Sequence, residues 1–210
     1  MENNKNSIVL TVIAVATLLV AVVGATFAYL QAQGGVTKNT SVKVQTGTTG
    51  STTFSIAGTI AINANQSNFA SGKGDQSSST TGTASFTAPS QVGTTLDAAD
   101  LKSCYTVTVK INSNNFVYTN GSTPELVLDV TKGSTKVISS MDITTRTSNV
   151  QVPTAANGTT YVHTLQTTAG KTITDSWSVQ VTFKNLTTDQ NSNAGKTFDG
   201  TLEFAKTTCS

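Results

Sequence analysis

The clearest hydrophobic pattern in the sequence is an alternation of apolar with small or polar residues in its second half. Residues 104–111 read CYTVTVKI, and the same two-residue period recurs in 175–183, DSWSVQVTF, and in 197–204, TFDGTLEF. Because side chains of a β-strand point alternately to its two faces, each segment predicts a strand with one buried face. The residues expected in the core are Tyr105, Val107, Val109, Ile111, Trp177, Val179, Val181, Phe183, Phe198, Leu202 and Phe204.

The first half carries the pattern less regularly. Residues 52–63 place apolar side chains at even spacing, and Gly58 between them is a candidate for a β-bulge. The Gly/Ser/Thr-rich stretch Ser67 to Thr83 is predicted to be a surface loop, and 84–89, ASFTAP, a short strand. Residues 94–103 form the only plausible helical turn outside the apolar N-terminal run. The apolar residues of the first segment are Phe54, Ile56, Ile60 and Ile62.

Two Asn-Gly dipeptides punctuate the strand pattern. Asn120-Gly121 and Asn157-Gly158 each stand between apolar stretches, which predicts a β-hairpin turn at each place. About nine or ten short strands then follow one another at turn spacings typical of all-β domains. The predicted fold class is therefore all-β, an antiparallel β-sandwich or jelly-roll-like domain preceded by one N-terminal hydrophobic helix.

The composition places this β-structure outside the cytosol. Charged residues make up 11% of the 210 residues, well below the roughly 25% of ordinary soluble domains, while 41 residues are threonine. Thr suits the solvated face of a strand because its hydroxyl meets water and its methyl covers neighbouring side chains. The net charge is +2 with no basic run, so nucleic acid is not expected as a partner.

An apolar run of 23 residues without a charge extends from Ile8 to Leu30. As a helix it would cover about 34 Å, enough to cross a hydrocarbon core of about 30 Å. The run is longer than an ordinary signal-peptide core, yet its last residues turn small, and Thr26 and Ala28 make an acceptable site for cleavage between Ala28 and Tyr29. Signal peptide and uncleaved membrane anchor both remain open from the residues alone.

The end of this run, GATFAYL at 24–30, resembles the leader of the TasA/camelysin-type exported matrix proteins of Gram-positive bacteria. Leu30 stands where that family usually has a second aromatic residue. The resemblance implies Sec-dependent export, cleavage by a dedicated signal peptidase, and a β-rich mature protein that assembles or decorates extracellular matrix fibres. It therefore favours cleavage at Ala28 over retention of the leader.

Export also bears on whether the two cysteines form a disulfide. Cys104 and Cys209 are the only ones and belong to no C-x-x-C pair, which argues against a metal site or a redox motif. In an exported chain they predict one disulfide, which would close a loop of about 100 residues and stabilise the fold by roughly 4 to 5 kcal/mol. Two unrelated buried thiols are the alternative.

The sequence holds no recognisable catalytic constellation. His163 is the only histidine, so the two imidazoles of an H-E-x-x-H zinc site are not present, and we expect His163 to be a packed or rim residue on a strand face. No G-x-S-x-G elbow presents a nucleophile, and the acidic residues form no calcium-loop pattern. Asp97 and Asp100 are expected to cap or flank the turn at 94–103. No cofactor, no metal and no enzymatic activity are predicted.

These observations divide the chain into a signal peptide or N-terminal transmembrane anchor (1–30), a flexible linker or extended segment (31–50) and a β-sandwich domain (51–210). The predicted function is that of an exported surface or matrix structural protein. Its partners would be the membrane, the signal peptidase and other copies of itself, with residues 29–46 adding as a strand to a neighbour's sheet. The alternative is a membrane-anchored extracellular binding domain of the adhesin type.

Overall fold

The computed structural model describes residues 50–64, 74–90 and 96–209. Within these ranges the chain forms ten β-strands and one turn of 3-10 helix at Asn191–Asn193. The predicted N-terminal helix, the linker and the cleavage position Ala28–Tyr29 lie outside the described residues. The strands are β1 Ser51–Ile56, β2 Thr59–Ala64, β3 Gln76–Thr87, β4 Lys102–Asn114, β5 Leu126–Lys132, β6 Thr135–Asp142, β7 Val150–Gln151, β8 His163–Gln166, β9 Thr172–Phe183 and β10 Lys196–Thr207.

The strands build two antiparallel sheets. The first sheet has the order β1-β3-β9-β5-β6, and the second has the order β2-β10-β4-β7, with β8 also paired to β4. The inward side chains of both sheets belong to one hydrophobic core, so the two sheets lie face to face as in a β-sandwich. The described residues are therefore all-β, as the sequence predicts.

The alternating segments of the second half are strands, and their predicted core residues are buried. Strands β4, β9 and β10 contain them, and each of these side chains is at most 8% exposed. The polar residues between them face the other side of the sheet, which is why a period of two was enough to find these strands. Trp177 is among the largest fully buried side chains.

The first predicted strand segment is two strands that belong to different sheets. β1 pairs with β3 in the first sheet, whereas β2 pairs with β10 in the second. Ala57 and Gly58 link them, so Gly58 marks a change of sheet and the prediction of a bulge within one strand is wrong. In both strands the even-numbered residues point inward, because each of the two sheets turns one face toward the shared core. The two-residue spacing of apolar residues therefore continues across Ala57 and Gly58.

Much of the stretch predicted as a surface loop is strand. Residues 76–83 belong to β3, which runs beside β9 for its full length, while 67–73 lie outside the described residues. Packing explains why one residue of this stretch, Gly82, is small. A Cβ on Gly82 would come within 2.8 Å of side-chain atoms of both Leu202 and Phe204, so the inward position must be small.

Neither Asn-Gly dipeptide forms the predicted hairpin. Asn120-Gly121 lies between β4 and β5, which belong to different sheets, and Asn157-Gly158 lies between β7 and β8, which both pair with β4. A hairpin does join β5 to β6 through Gly133-Ser134, where Gly133 has φ +57°. The dipeptides still mark turns, since Thr123 N–H donates to the Asn120 carbonyl and Gly158 N–H to that of Ala155.

The described part of the predicted helical turn, from residue 96 on, is a hydrogen-bonded turn that leads into β4 at Lys102, and residues 94 and 95 lie outside the described ranges. Asp100 N–H donates to the Asp97 carbonyl, and the Asp100 carboxylate accepts the Asp97 N–H at 3.1 Å. These two residues therefore close the turn on each other, as expected. Within the described ranges no helix is long and apolar enough to cross a membrane.

Candidate functional site

The predicted disulfide is present. Cys104 at the start of the β4 ladder is bonded to Cys209, with 5.2 Å between the Cα atoms. Because β10 pairs with β4 up to Thr207 and Cys104, the bond joins the end of the chain to a strand it already lies beside. The alternative of two separate thiols is excluded.

A polar and aromatic cluster links the two sheets near this end of the sandwich. We call it the inter-sheet cluster and define it as Tyr105, Lys132, His163, Asp175 and Trp177. Trp177 Nε1–H donates to Tyr105 Oη at 3.1 Å, and Tyr105 Oη–H donates to Asp175 Oδ2 at 2.6 Å. Tyr105 belongs to the second sheet and the two partners to the first, so these hydrogen bonds hold the sheets together.

The cluster also contains an ion pair. Lys132 Nζ lies 2.7 Å from Asp175 Oδ2, with the two side chains 28% and 17% exposed, and 5.7 Å from the centre of the Trp177 ring. One carboxylate oxygen thus accepts from both the phenol and the ammonium group. Burial of Tyr105, reinforced by the Asp175 carboxylate, raises the pKa of the phenol well above its usual value, so the phenol stays a proton donor at physiological pH.

His163 packs against the two aromatic rings of the inter-sheet cluster. Its ring centre lies 5.3 Å from that of Tyr105 and 4.8 Å from that of Trp177, and its Nε2 hydrogen-bonds the Val152 carbonyl at 3.1 Å. The side chain is 1% exposed, and its Nδ1 has no partner in the described part of the chain. Burial lowers the pKa of His163, so the neutral imidazole with its proton on Nε2 fits this site.

A second buried polar group anchors the loops at the other end of β5. Glu125 is fully buried, and its Oε1 accepts from both the backbone N–H and the hydroxyl of Thr119. Its Oε2 accepts from the side-chain amides of Gln190 and Asn193 at 2.7 and 2.8 Å. Glu125 therefore ties the β4–β5 loop to the β9–β10 loop, and we call this group the Glu125 clamp.

Three of the sheet edges are protected in the described structure. At β6, Ser140 has φ +48° and its N–H donates to the Asp129 carboxylate, which disrupts a regular ladder. The outer groups of β2 are met by β3 side chains, because Ala61 N–H donates to Ser78 Oγ and Gln76 Nε2–H donates to the Asn63 carbonyl. β7 and β8 are only two and four residues long. Such devices keep edges from pairing with other chains.

The outer edge of β1 has no such protection from the described part of the chain. Ala57 N–H donates to the Thr81 carbonyl across the β1–β3 register, so alternation turns the backbone N–H and C=O groups of Thr52, Phe54 and Ile56 away from β3. No strand of the described ranges pairs with this side. Phe54 and Ile56 pack against the core but stay partly exposed. Among the residues that the structure describes, the β1 edge is thus open in both hydrogen bonding and apolar cover.

Sequence reasoning missed both buried polar groups. It assigned Trp177 to the core, which is confirmed, and His163 to a packed or rim position, of which the packed one is found. It gave no role to Lys132 and Asp175. Each of them continues the two-residue spacing of the inward residues of its strand, and this spacing could have indicated that they face the core. Glu125 had a weaker signal, as a lone acid directly before the apolar start of β5.

In the described ranges, no group of three or more His, Cys, Asp or Glu side chains is placed to hold a metal ion. The described residues define a disulfide-closed, two-sheet β-protein in which no described strand pairs with the outer edge of β1. Comparison with protein-family models, with curated proteins and with solved structures finds no significant match to this chain.

Proposed function

We propose that this protein is an exported structural subunit of the bacterial surface or extracellular matrix that assembles by strand addition. Residues 29–46 of one copy would pair with the outer edge of β1 in the next copy. The observation that carries the proposal is the outer edge of β1, which pairs with no strand of the described ranges. There Thr52, Phe54 and Ile56 direct backbone groups away from β3, while the other edges are protected.

The chemistry of strand addition fits this edge. Main-chain hydrogen bonds give affinity, and alternate side chains of the incoming segment give register. Val42 and Val44 of the incoming segment have the two-residue spacing needed to lie over the partly exposed Phe54 and Ile56. Lys43, which lies between the two valines, would then point to the solvated face.

The disulfide supports an oxidising destination for the protein. Disulfides persist in extracellular compartments and are rare in the cytosol, and this bond closes a loop spanning 105 positions. A leader of the exported matrix type at residues 24–30 is consistent with that destination. The proposal gives the protein no catalytic activity and no cofactor.

The edge is tested by a matched pair of substitutions. Thr52→Pro removes an N–H that faces away from β3, so it spares the β1–β3 ladder but denies the incoming strand a donor. Thr52→Val keeps that N–H and loses only the hydroxyl that bonds Ser103 Oγ at 2.7 Å. Electron microscopy of the secreted protein should show filaments for the wild type and Thr52→Val, and none for Thr52→Pro.

Deleting residues 29–46 should abolish filaments as well. For the wild type, the intact mass of the secreted protein should correspond to a chain that begins at Tyr29. Filaments from the deletion variant or from Thr52→Pro would rule out this mode of assembly. Glycan or host-protein binding by a cell-bound protein that forms no filaments would instead favour the membrane-anchored binding domain.

A further inference from the structure

The two Asn-Gly dipeptides differ in one chemical respect. Both lie in exposed turns with similar following residues, Asn120-Gly121-Ser122-Thr123 and Asn157-Gly158-Thr159-Thr160. Gly158 N–H donates to the Ala155 carbonyl at 3.0 Å. Gly121 N–H makes no hydrogen bond in the described part of the chain, since the turn is closed two residues later by Thr123 N–H, which donates to the Asn120 carbonyl. The backbone nitrogen of Gly121 is therefore free to react and that of Gly158 is held.

We propose that Asn120 is a site of spontaneous deamidation and that Asn157 is protected from it. The Gly121 nitrogen gives its proton to solvent and attacks Asn120 Cγ, a new N–C bond closes a five-membered succinimide, and ammonia leaves. Water then opens the ring at either carbonyl and yields aspartate or isoaspartate. The net change exchanges ammonia for water and requires no oxidant. Gly121 has no Cβ to shield its nitrogen, and its surroundings are open, since even an added Cβ would meet nothing within 4 Å.

The position of Asn120 gives the reaction a structural consequence. The preceding residue, Thr119, supplies two of the four donors to buried Glu125. Isoaspartate inserts one extra carbon into the backbone between residues 120 and 121, and either product adds a negative charge beside a loop that holds a buried carboxylate. The Glu125 clamp should therefore weaken in protein that has aged outside the cell.

The test follows the two sites within one molecule. The full-length protein with its disulfide intact is incubated in mildly alkaline buffer, sampled over time and digested with trypsin. Peptides 111–132 and 147–171 report Asn120 and Asn157 by mass, and isoaspartyl methyltransferase labelling identifies the isoaspartate. Asn120 should react about tenfold faster, because one backbone hydrogen bond is worth about that factor in a rate.

Concentrated urea with reductant provides the control, because the unfolded chain loses the Gly158 hydrogen bond and the two rates should become nearly equal. Asn120→Gln should remove the change in peptide 111–132 and leave the other peptide unaffected. Aged wild type should unfold at lower urea concentration than aged Asn120→Gln. Equal rates in the native protein, faster reaction at Asn157, or no reaction at Asn120 under conditions that deamidate the unfolded chain would overturn the proposal.

Discussion

Tyr105 of the second sheet donates a hydrogen bond of 2.6 Å to Asp175 of the first, 70 positions away in sequence, while it accepts one from Trp177. This phenol is the one hydroxyl of the inter-sheet cluster, and each of its partners would lose a hydrogen bond without it. Buried bonds of this kind polarise one another, so the phenol should contribute more than an isolated surface pair.

Tyr105→Phe keeps the ring and removes the hydroxyl. We expect a loss of about 1 to 3 kcal/mol in the free energy of unfolding, because Trp177 Nε1–H is then left buried without an acceptor. Urea denaturation measures it. Tyr118→Phe is the matched control, since Tyr118 makes an equally short bond to Asp142 at a more exposed place and should cost less. Equal losses in the two variants would contradict a special role for the cluster.

The buried imidazole predicts a pH dependence of stability. Burial holds the folded-state pKa of His163 below the unfolded value of about 6.5, so the unfolded chain binds the proton first as pH falls. The contribution to stability is complete above about pH 6.5 and is lost as pH falls toward the folded-state pKa. His163→Gln, which keeps an N–H donor, should lose this slope in urea denaturation between about pH 6.5 and 4.5.

The carboxylates provide an internal reference for that experiment. Hydrogen bonds and ion pairs outweigh partial burial and lower the pKa of Asp75, Asp129 and Asp142. Their contribution is present above their ordinary pKa of about 3.9 and is lost as pH falls below it. Both the wild type and His163→Gln should lose stability in this lower range. If the free energy of unfolding of His163→Gln still changed with pH near pH 6 as steeply as that of the wild type, the role given to His163 would be contradicted.

Glu125→Gln should loosen the two loops that the Glu125 clamp joins. The carboxylate accepts from four donors, and an amide in its place turns an N–H toward one pair of them. We expect a loss of about 1.5 to 3 kcal/mol of stability, the range for hydrogen bonds to a charged group. Hydrogen exchange should rise in 115–124 and 184–195. Glu203→Gln, whose partner Lys110 is exposed, should cost less than about 1 kcal/mol.

Gly82→Ala should overpack the contact between β3 and β10. The added Cβ would lie 2.8 Å from atoms of Leu202 and Phe204, and relief of such a clash typically costs about 1 to 3 kcal/mol. Gly58→Ala is the control, because a Cβ there meets nothing within 4 Å. Thermal unfolding should place Gly82→Ala clearly below the wild type. A neutral Gly82→Ala would show that the two sheets can separate locally without cost.

The disulfide should be a large single contribution to stability. Replacing both Cys104 and Cys209 by Ser frees a loop of 105 positions, which the chain-entropy model values at about 4 to 5 kcal/mol less any strain. Urea denaturation of the oxidised wild type, the reduced wild type and the double variant measures this. The last two should agree, and a disagreement would mean that Ser perturbs the site itself.

The sequence predicted the strands whose inward residues are uniformly apolar. Strands β4, β9 and β10 were found with their buried faces, because a two-residue period needs only neighbouring residues to be recognised. It found only the end of β3, where the strand predicted at 84–89 overlaps residues 84–87, and missed residues 76–83, where Gly82 and small neighbours face inward and remove the apolar signal. It also read Asn120-Gly121 and Asn157-Gly158 as hairpins, since turn chemistry is local but the pairing of the flanking strands is not.

The residue pattern alone was enough to predict the all-β class of the described residues, most of the core and, given export, the cysteine pair. Which strands are neighbours, and which side chains meet between the sheets, became known only from the three-dimensional packing. Tyr105 and Asp175 lie 70 positions apart, and the openness of β1 depends on which strands lie beside it. Alternation records whether a side chain faces the core, whereas pairing follows from the packing of the whole chain, which no single segment contains.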